Sequence, residues 1–270
     1  EHVSYHHLST SYVRGKWANS KKCHTSMLLA KSCHDMDIMM WMMSATKPTQ
    51  IASFGSKFQF KPENAPEGAG TICMKDCPYV DTCVYSTKRL YIDHPDRWAF
   101  YVWDALEGKE NPTIEDKIEL MKSDSPYARC IYKCDNDVVD HQSVLINFAS
   151  GATGTLNMIG GSAEPRRDIH IIGTKGEIFG NFEESKFTVL KIDPSPEAHH
   201  EECDVEEVDL KVTGDMVGAY GGHGGGDERL AADFVKFIRG EKPSLACTSI
   251  FDSVAGHLCV YLADNSRENG

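Results

Sequence analysis

VVDHQSVLINFA (138–149), GATGTLNMIGG (151–161), DIHIIGT (168–174), EIFGNF (177–182), FTVLKI (187–192) and CDVEEVDL (203–210) follow one another along the second half of the chain. Each run is rich in β-branched or aromatic residues and reads as a strand. Turn formers separate them: Ser150-Gly151, Lys175-Gly176 and Pro194-Ser195-Pro196. Strands this close in sequence pair antiparallel, because a parallel pair needs a crossover of a dozen residues or more.

Outside this block the period changes. Residues 1–13 alternate loosely and predict an entering strand, and Ile51–Phe60 predicts another. Ser26–Ser44 has helical length, with Met36, Met39, Met40 and Met43 repeating at three and four, which marks a face turned to a core. Methionine here is gap-filling packing. Thr113 precedes a short helix with Glu115 and Asp116 in its first turn, where carboxylates complement the helix dipole. Asp227–Arg239 and Ser249–Asn265 predict two closing helices. Helices grouped around a mostly antiparallel sheet give an α+β fold. The expectation is one domain over residues 1–270, with 61–112 a long, turn-rich loop insertion that carries cysteines.

The chain has 270 residues, with 28 basic against 40 acidic residues and a formal net charge of -12. That balance argues against nucleic acid or an anionic membrane as the main partner. No apolar run of about 18 residues offers a membrane span. The sequence opens on Glu1, without an initiator Met or a charged-then-apolar leader, so the expectation is a cytoplasmic protein of which this is a fragment.

Ten cysteines in a chain large enough to fold unaided point to thiols or metal ligands, not to a disulfide frame. Cys73, Cys77 and Cys83 stand together in a loop where apolar burial has little to offer. Three thiolates at this spacing suit a tetrahedral structural zinc that needs one more ligand, with Cys130, Cys134 or His94 as candidates. Reduced thiols are the simpler alternative.

Two further sets carry chemistry. In the methionine helix, Lys31 lies one turn before His34, and Asp37 three residues after it, a wall able to exchange protons with an alcohol or carbonyl. A helical His is more often a structural hydrogen-bonder. Asp140-His141-Gln142 leads into a strand, where it can hold a sugar hydroxyl or simply close a turn. Arg166-Arg167, before the next strand, is either an anion site or, as is more usual, an exposed pair. The glycine-dense stretch Gly221–Gly226, with His223 inside it and Asp227 after it, is a turn or a substrate loop in which His223 and Asp227 face a polyol. A dinucleotide fingerprint needs G-x-G-x-x-G within a β-α-β unit, and no such unit is visible.

Leu29-Ala30-Lys31-Ser32-Cys33-His34-Asp35-Met36-Asp37, then Asp137–Gln142, Gly173-Thr174-Lys175-Gly176-Glu177-Ile178 and Gly222–Asp227, taken in this order, resemble the C-terminal domain of the glucose–fructose oxidoreductase / inositol dehydrogenase / MocA family. Tyr12-Val13-Arg14-Gly15 and the cysteine loop extend the likeness. The resemblance implies a large open-faced antiparallel sheet that supplies substrate residues and an oligomer interface. It also implies a preceding Rossmann domain, here missing, that binds NAD or NADP and carries the catalytic Lys of a Glu-Lys-Pro motif. Glu241-Lys242-Pro243 follows a C-terminal helix and is not that motif. The family's usual pattern has Asp four residues before the His. Ala30 stands there instead, which leaves His34 and Lys31 as catalytic candidates, with Asp37, His141, His223 and Asp227 on substrate hydroxyls. The reaction so implied is oxidation of a sugar, cyclitol or related polyol. Two other readings are a non-catalytic dimerisation module and a metal-dependent hydrolase built on Cys and His.

Overall fold

The computed structural model describes residues 2–5, 9–94, 100–182, 184–197, 203–209 and 226–270. Every strand-like run quoted above becomes a strand. In chain order they are β1 (His2–Tyr5), β2 (Pro48–Ser56), β3 (His141–Phe148), β4 (Thr153–Gly160), β5 (Arg166–Gly173), β6 (Gly176–Asn181), β7 (Lys186–Ile192) and β8 (Cys203–Asp209). All eight share one sheet in the order β2-β3-β4-β1-β5-β6-β7-β8. Each neighbouring pair is antiparallel except β1 with β4. β1 thus sits mid-sheet and joins two meanders, β2–β4 and β5–β8.

The helices are α1 (Ser20–Cys23), α2 (Met27–Met42), α3 (Cys73–Asp76), α4 (Phe100–Asp104), α5 (Ile114–Lys122), α6 (Gly226–Ile238) and α7 (Ile250–Asn269). Ser26 caps α2 by accepting the Leu29 amide, and Thr113 and Asp116 form a capping box on α5. α2 and α7 pack on each other and on the β2–β4 meander. Beneath them lies the main core: Leu28, Met36 and Met40 of α2, Cys259, Val260 and Ala263 of α7, and Val144, Ile146, Phe148, Leu156 and Met158 of the sheet. Gly256 permits the helix contact, since a Cβ there would lie 3.2 Å from Asp37 Cα. β3 shows the pleat directly: Gln142, Val144, Ile146 and Phe148 are buried on the helix side, while Ser143 and Leu145 face out. The α+β reading, with an open-faced, mostly antiparallel sheet and helices on one face, therefore holds.

Two strand boundaries differ from expectation. β1 stops at Tyr5, and residues 9–14 form a π-helical turn that buries Ser11, Tyr12, Val13 and Arg14 in succession. A strand would send alternate side chains to opposite faces. β2 stops at Ser56 because the buried Asp140 carboxylate takes the amides of Phe58, Gln59 and Phe60 and turns the chain off the ladder. The 61–112 excursion is no bare loop either. It holds α3, α4 and two short turns, and Tyr91 and Val102 share a second small core with Met121 of α5.

Candidate functional site

α2 presents one wall away from the methionine face. Asp35 lies on that helix fully buried, at 0% exposure. A buried carboxylate needs a partner, and β5 provides it: Arg167 Nε donates to Asp35 Oδ1 at 2.7 Å. The register of β5 turns Arg167 to the helix side, while Arg166 points the other way and pairs with Asp168 at 3.0 Å. Arg166-Arg167 is therefore one exposed and one structural arginine, a correction to the exposed pair expected above.

Lys31 lies four residues before Asp35, one turn away on the same flank. Burial, joined by the nearby Arg167 guanidinium, holds the Lys31 ammonium below the ordinary lysine range, against the opposite pull of Asp35. An amine so placed is suited to exchanging a proton with an alcohol. His34 is exposed on this helix. Burial pushes the Cys33 thiol up, away from thiolate chemistry. Asp37 is half-buried against Gly256 of α7.

Among the remaining substrate candidates that are described, His141 is not on this wall. His141 leads β3 on the face opposite the helices, half exposed, with Nδ1 3.1 Å from Asp140 Oδ1 and Phe58 edge-on at 6.1 Å. The sheet stands between it and His34. Asp227 lies in the first turn of α6, and His223 with the glycines before it falls outside the described residues. Sequence reading missed Asp35 and Arg167. The available signal was a carboxylate at position 35 directly before the core residue Met36.

All ten cysteines of the chain are free thiols in the structure, Cys73, Cys77 and Cys83 of the loop among them. Among the described residues, no three His, Cys, Asp or Glu side chains are arranged to hold a metal ion. The zinc set Cys73, Cys77 and Cys83 is thus not formed as a chelate, and the hydrolase reading gains no metal near His34. What exists is one small void walled by Cys73, Cys77, Cys83, Cys130 and Arg14. His94 and Cys134 do not line it; Cys134 Sγ donates instead to the Cys130 carbonyl at 3.3 Å.

On the outer face of the sheet, Phe54, Leu145, Ile159, Ile172, Phe179 and Val205 are all exposed. The pairing registers set them on one continuous surface. Among the described residues no helix is long and apolar enough to cross a membrane.

Comparison with known proteins agrees with this architecture. The chain is 26% identical over 235 residues to YteT of Bacillus subtilis (strain 168), covering 85% of this chain and 50% of that protein. Levoglucosan dehydrogenase in complex with NADH and levoglucosan superposes with a TM-score of 0.54 at 14% identity, over 99% of this chain and 55% of that one. An oxidoreductase domain protein from Kribbella flavida gives 0.54 at 14% identity, over 100% and 58%. The chain spans about half the length of each relative, and the solved structures, at this identity, attest the fold alone. Residues 2–249 match the sequence model described as the oxidoreductase family, C-terminal alpha/beta domain. With that match over most of its length, and with the helix-backed open sheet to go with it, the chain belongs to the glucose–fructose oxidoreductase / inositol dehydrogenase / MocA family of oxidoreductases, whose C-terminal domain it contains.

Proposed function

We propose that this chain is the substrate-binding and oligomerisation half of an NAD(P)-dependent oxidoreductase acting on a sugar, cyclitol or related polyol. The observation that carries the reading is the Lys31–Asp35–Arg167 arrangement: a lysine held below its ordinary range beside a buried ion pair, on the helix where the family resemblance places proton transfer. The similarity to levoglucosan dehydrogenase, solved with NADH and levoglucosan and again with L-sorbose, supports the substrate class.

The dinucleotide finds no cradle among the described residues. The sheet's single parallel pair, β1 with β4, is not part of a strand–glycine-loop–helix unit. The nicotinamide would supply the hydride chemistry, and its site is assigned outside these residues. This chain's share is the proton and the grip. In this reading His34 takes the hydroxyl proton as the alcohol becomes a carbonyl, Lys31 supports it by charge or hydrogen bonding, and Asp37, Asp227 and His223 hold neighbouring hydroxyls. Asp35 and Arg167 set the charge environment that the family's Asp, replaced by Ala30, no longer sets. His141 belongs to the opposite, assembling face.

The test is turnover of the intact enzyme on a polyol panel with NAD and with NADP. Lys31→Met and His34→Ala are each expected to lower turnover about 10²-fold or more. Normal turnover in both variants overturns the assignment. A second reading, a non-catalytic assembly module, draws on the exposed apolar face. Titration with NADH separates the two, because an intact enzyme binds it and a module does not.

A further inference from the structure

Arg14 is 2% exposed, so its charge is out of water and needs a counter-charge. Its Nε donates to the Arg129 carbonyl at 2.8 Å and its Nη2 to the Tyr85 carbonyl at 2.7 Å. Nη1 lies 3.5 Å from the Tyr91 hydroxyl, and Nη2 lies 4.0 Å from Cys73 Sγ. Among the described residues none of these partners is a carboxylate.

The wall that Arg14 faces is built with care. Cys130 is brought beside the cysteine loop by a backbone bridge between Ile72 and Arg129 and by its own amide, which donates to the Thr71 carbonyl at 2.8 Å. The Asp76 carboxylate accepts the amides of Thr71 and Ile72 at 3.0 and 2.7 Å and so fixes the turn ahead of Cys73. Gly70 lets Asp76 close on it, since a Cβ at that position would sit 2.3 Å from Asp76 Oδ1. Cys73 and Cys130 are buried, Cys77 and Cys83 half-buried, and all four line the same void as Arg14.

We propose that Cys73, Cys77, Cys83 and Cys130 bind a soft metal centre through four thiolate sulfurs, with Arg14 as its buried counter-charge. On binding, each S–H bond is exchanged for an S–metal bond and the proton leaves to solvent. Four thiolates around a divalent ion carry a net charge of about -2, which the guanidinium offsets in part. Among the described residues no closed metal-ligand set is already formed, so binding requires the four sulfurs to converge on the centre. A single zinc ion and an iron–sulfur cluster both seek this ligand chemistry. The proposal is independent of the reading of α2, because it concerns the 61–130 region and not the proton-transfer wall.

The experiment is metal and acid-labile sulfide analysis of the protein purified anaerobically, with a visible spectrum, before and after reconstitution with zinc or with iron and sulfide. About one centre per chain is expected; zinc without colour, or iron and sulfide with a visible charge-transfer band, tells the two apart. Cys83→Ser is expected to lower metal content more than about 10-fold, whereas Cys23→Ser, outside the void, leaves it unchanged. Circular dichroism distinguishes a Cys83→Ser protein that has lost metal from one that has lost its fold. Thiol counting on the wild type needs no variant: chelation should make Cys73, Cys77, Cys83 and Cys130 newly reactive. Less than about a tenth of an equivalent of metal after reconstitution overturns the proposal. So does metal retained in a folded Cys83→Ser protein, or chelation that frees a different set of cysteines.

Discussion

The two meanders of the sheet are built alike and supported differently. β2–β4 carries α2 and α7 on one face, and Val144, Ile146, Phe148, Leu156 and Met158 are all at most 2% exposed. In β5–β8 only Ile169 among the apolar residues is buried, while Ile172 is 71% and Val205 62% exposed. Both meanders have hydrogen-bonded ladders, that of β2 with β3 broken by one register irregularity between Pro48 and Gln50. The difference shows that a ladder alone fixes register, whereas removal of apolar surface from water supplies the stabilisation. One half is covered by its own helices; the other is left exposed among the described residues.

The contrast is open to direct attack. The largest effect belongs to the covered half: Leu28→Ala, at a fully buried position, should cost about 3 kcal/mol, whereas Ile172→Ala should cost under about 0.5 kcal/mol at low protein concentration. Denaturant midpoints of the two variants measure both, and equal losses would break the comparison. A smaller effect on stability, with a large one on assembly, is expected of Ile172→Glu combined with Phe179→Glu. Light scattering should show the wild type as an oligomer and the double variant as a smaller species, at an unchanged monomer unfolding midpoint. A wild type that is monomeric at micromolar concentration would remove the assembly role of the open face.

The smallest effect is a slope. Lys31 is held below the ordinary lysine value near 10.4, so between its folded pKa and that value the unfolded chain binds more protons. Stability contributed at this site therefore rises with pH through that window, and below it the folded state carries a constant penalty. Lys31→Met should be more stable than wild type near neutrality by under about 1 kcal/mol, and the gap should close as pH approaches 10. Parallel pH–stability curves for the two proteins would show that Lys31 is not held down.

Local pattern made β3 to β8, the methionine helix and the α+β class legible in the sequence, because alternation and helical period are properties of neighbouring residues. What lay beyond it was pairing at a distance. Asp35 meets Arg167 across 132 residues of chain, and nothing in the alternation of 166–173 says which face meets a helix. Cys130 joins Cys73 at the void for the same reason, although it appeared among the possible fourth ligands. Phe58 and Phe60 continue the alternation of β2, yet leave the strand because Asp140 competes for their amides.

The four residues of β1 have a consequence for how the molecule comes together. β3–β4 and β5–β8 can form from hairpins between sequence neighbours, whereas β2 reaches β3 only across the whole 57–140 segment, and β1 fastens the two halves by placing His2 beside Asn157 and Asp168. His2 and Asn157 stand 155 positions apart along the chain. Closing that loop costs roughly 4–5 kcal/mol of chain entropy on a logarithmic scale, before a constant term. A four-residue strand returns little against that cost until both flanking ladders already exist. Assembly of the sheet is therefore ordered in time, with the local β3–β4 and β5–β8 ladders early and the long-range β1 seam late, and the seam runs through the earliest-made part of the described chain.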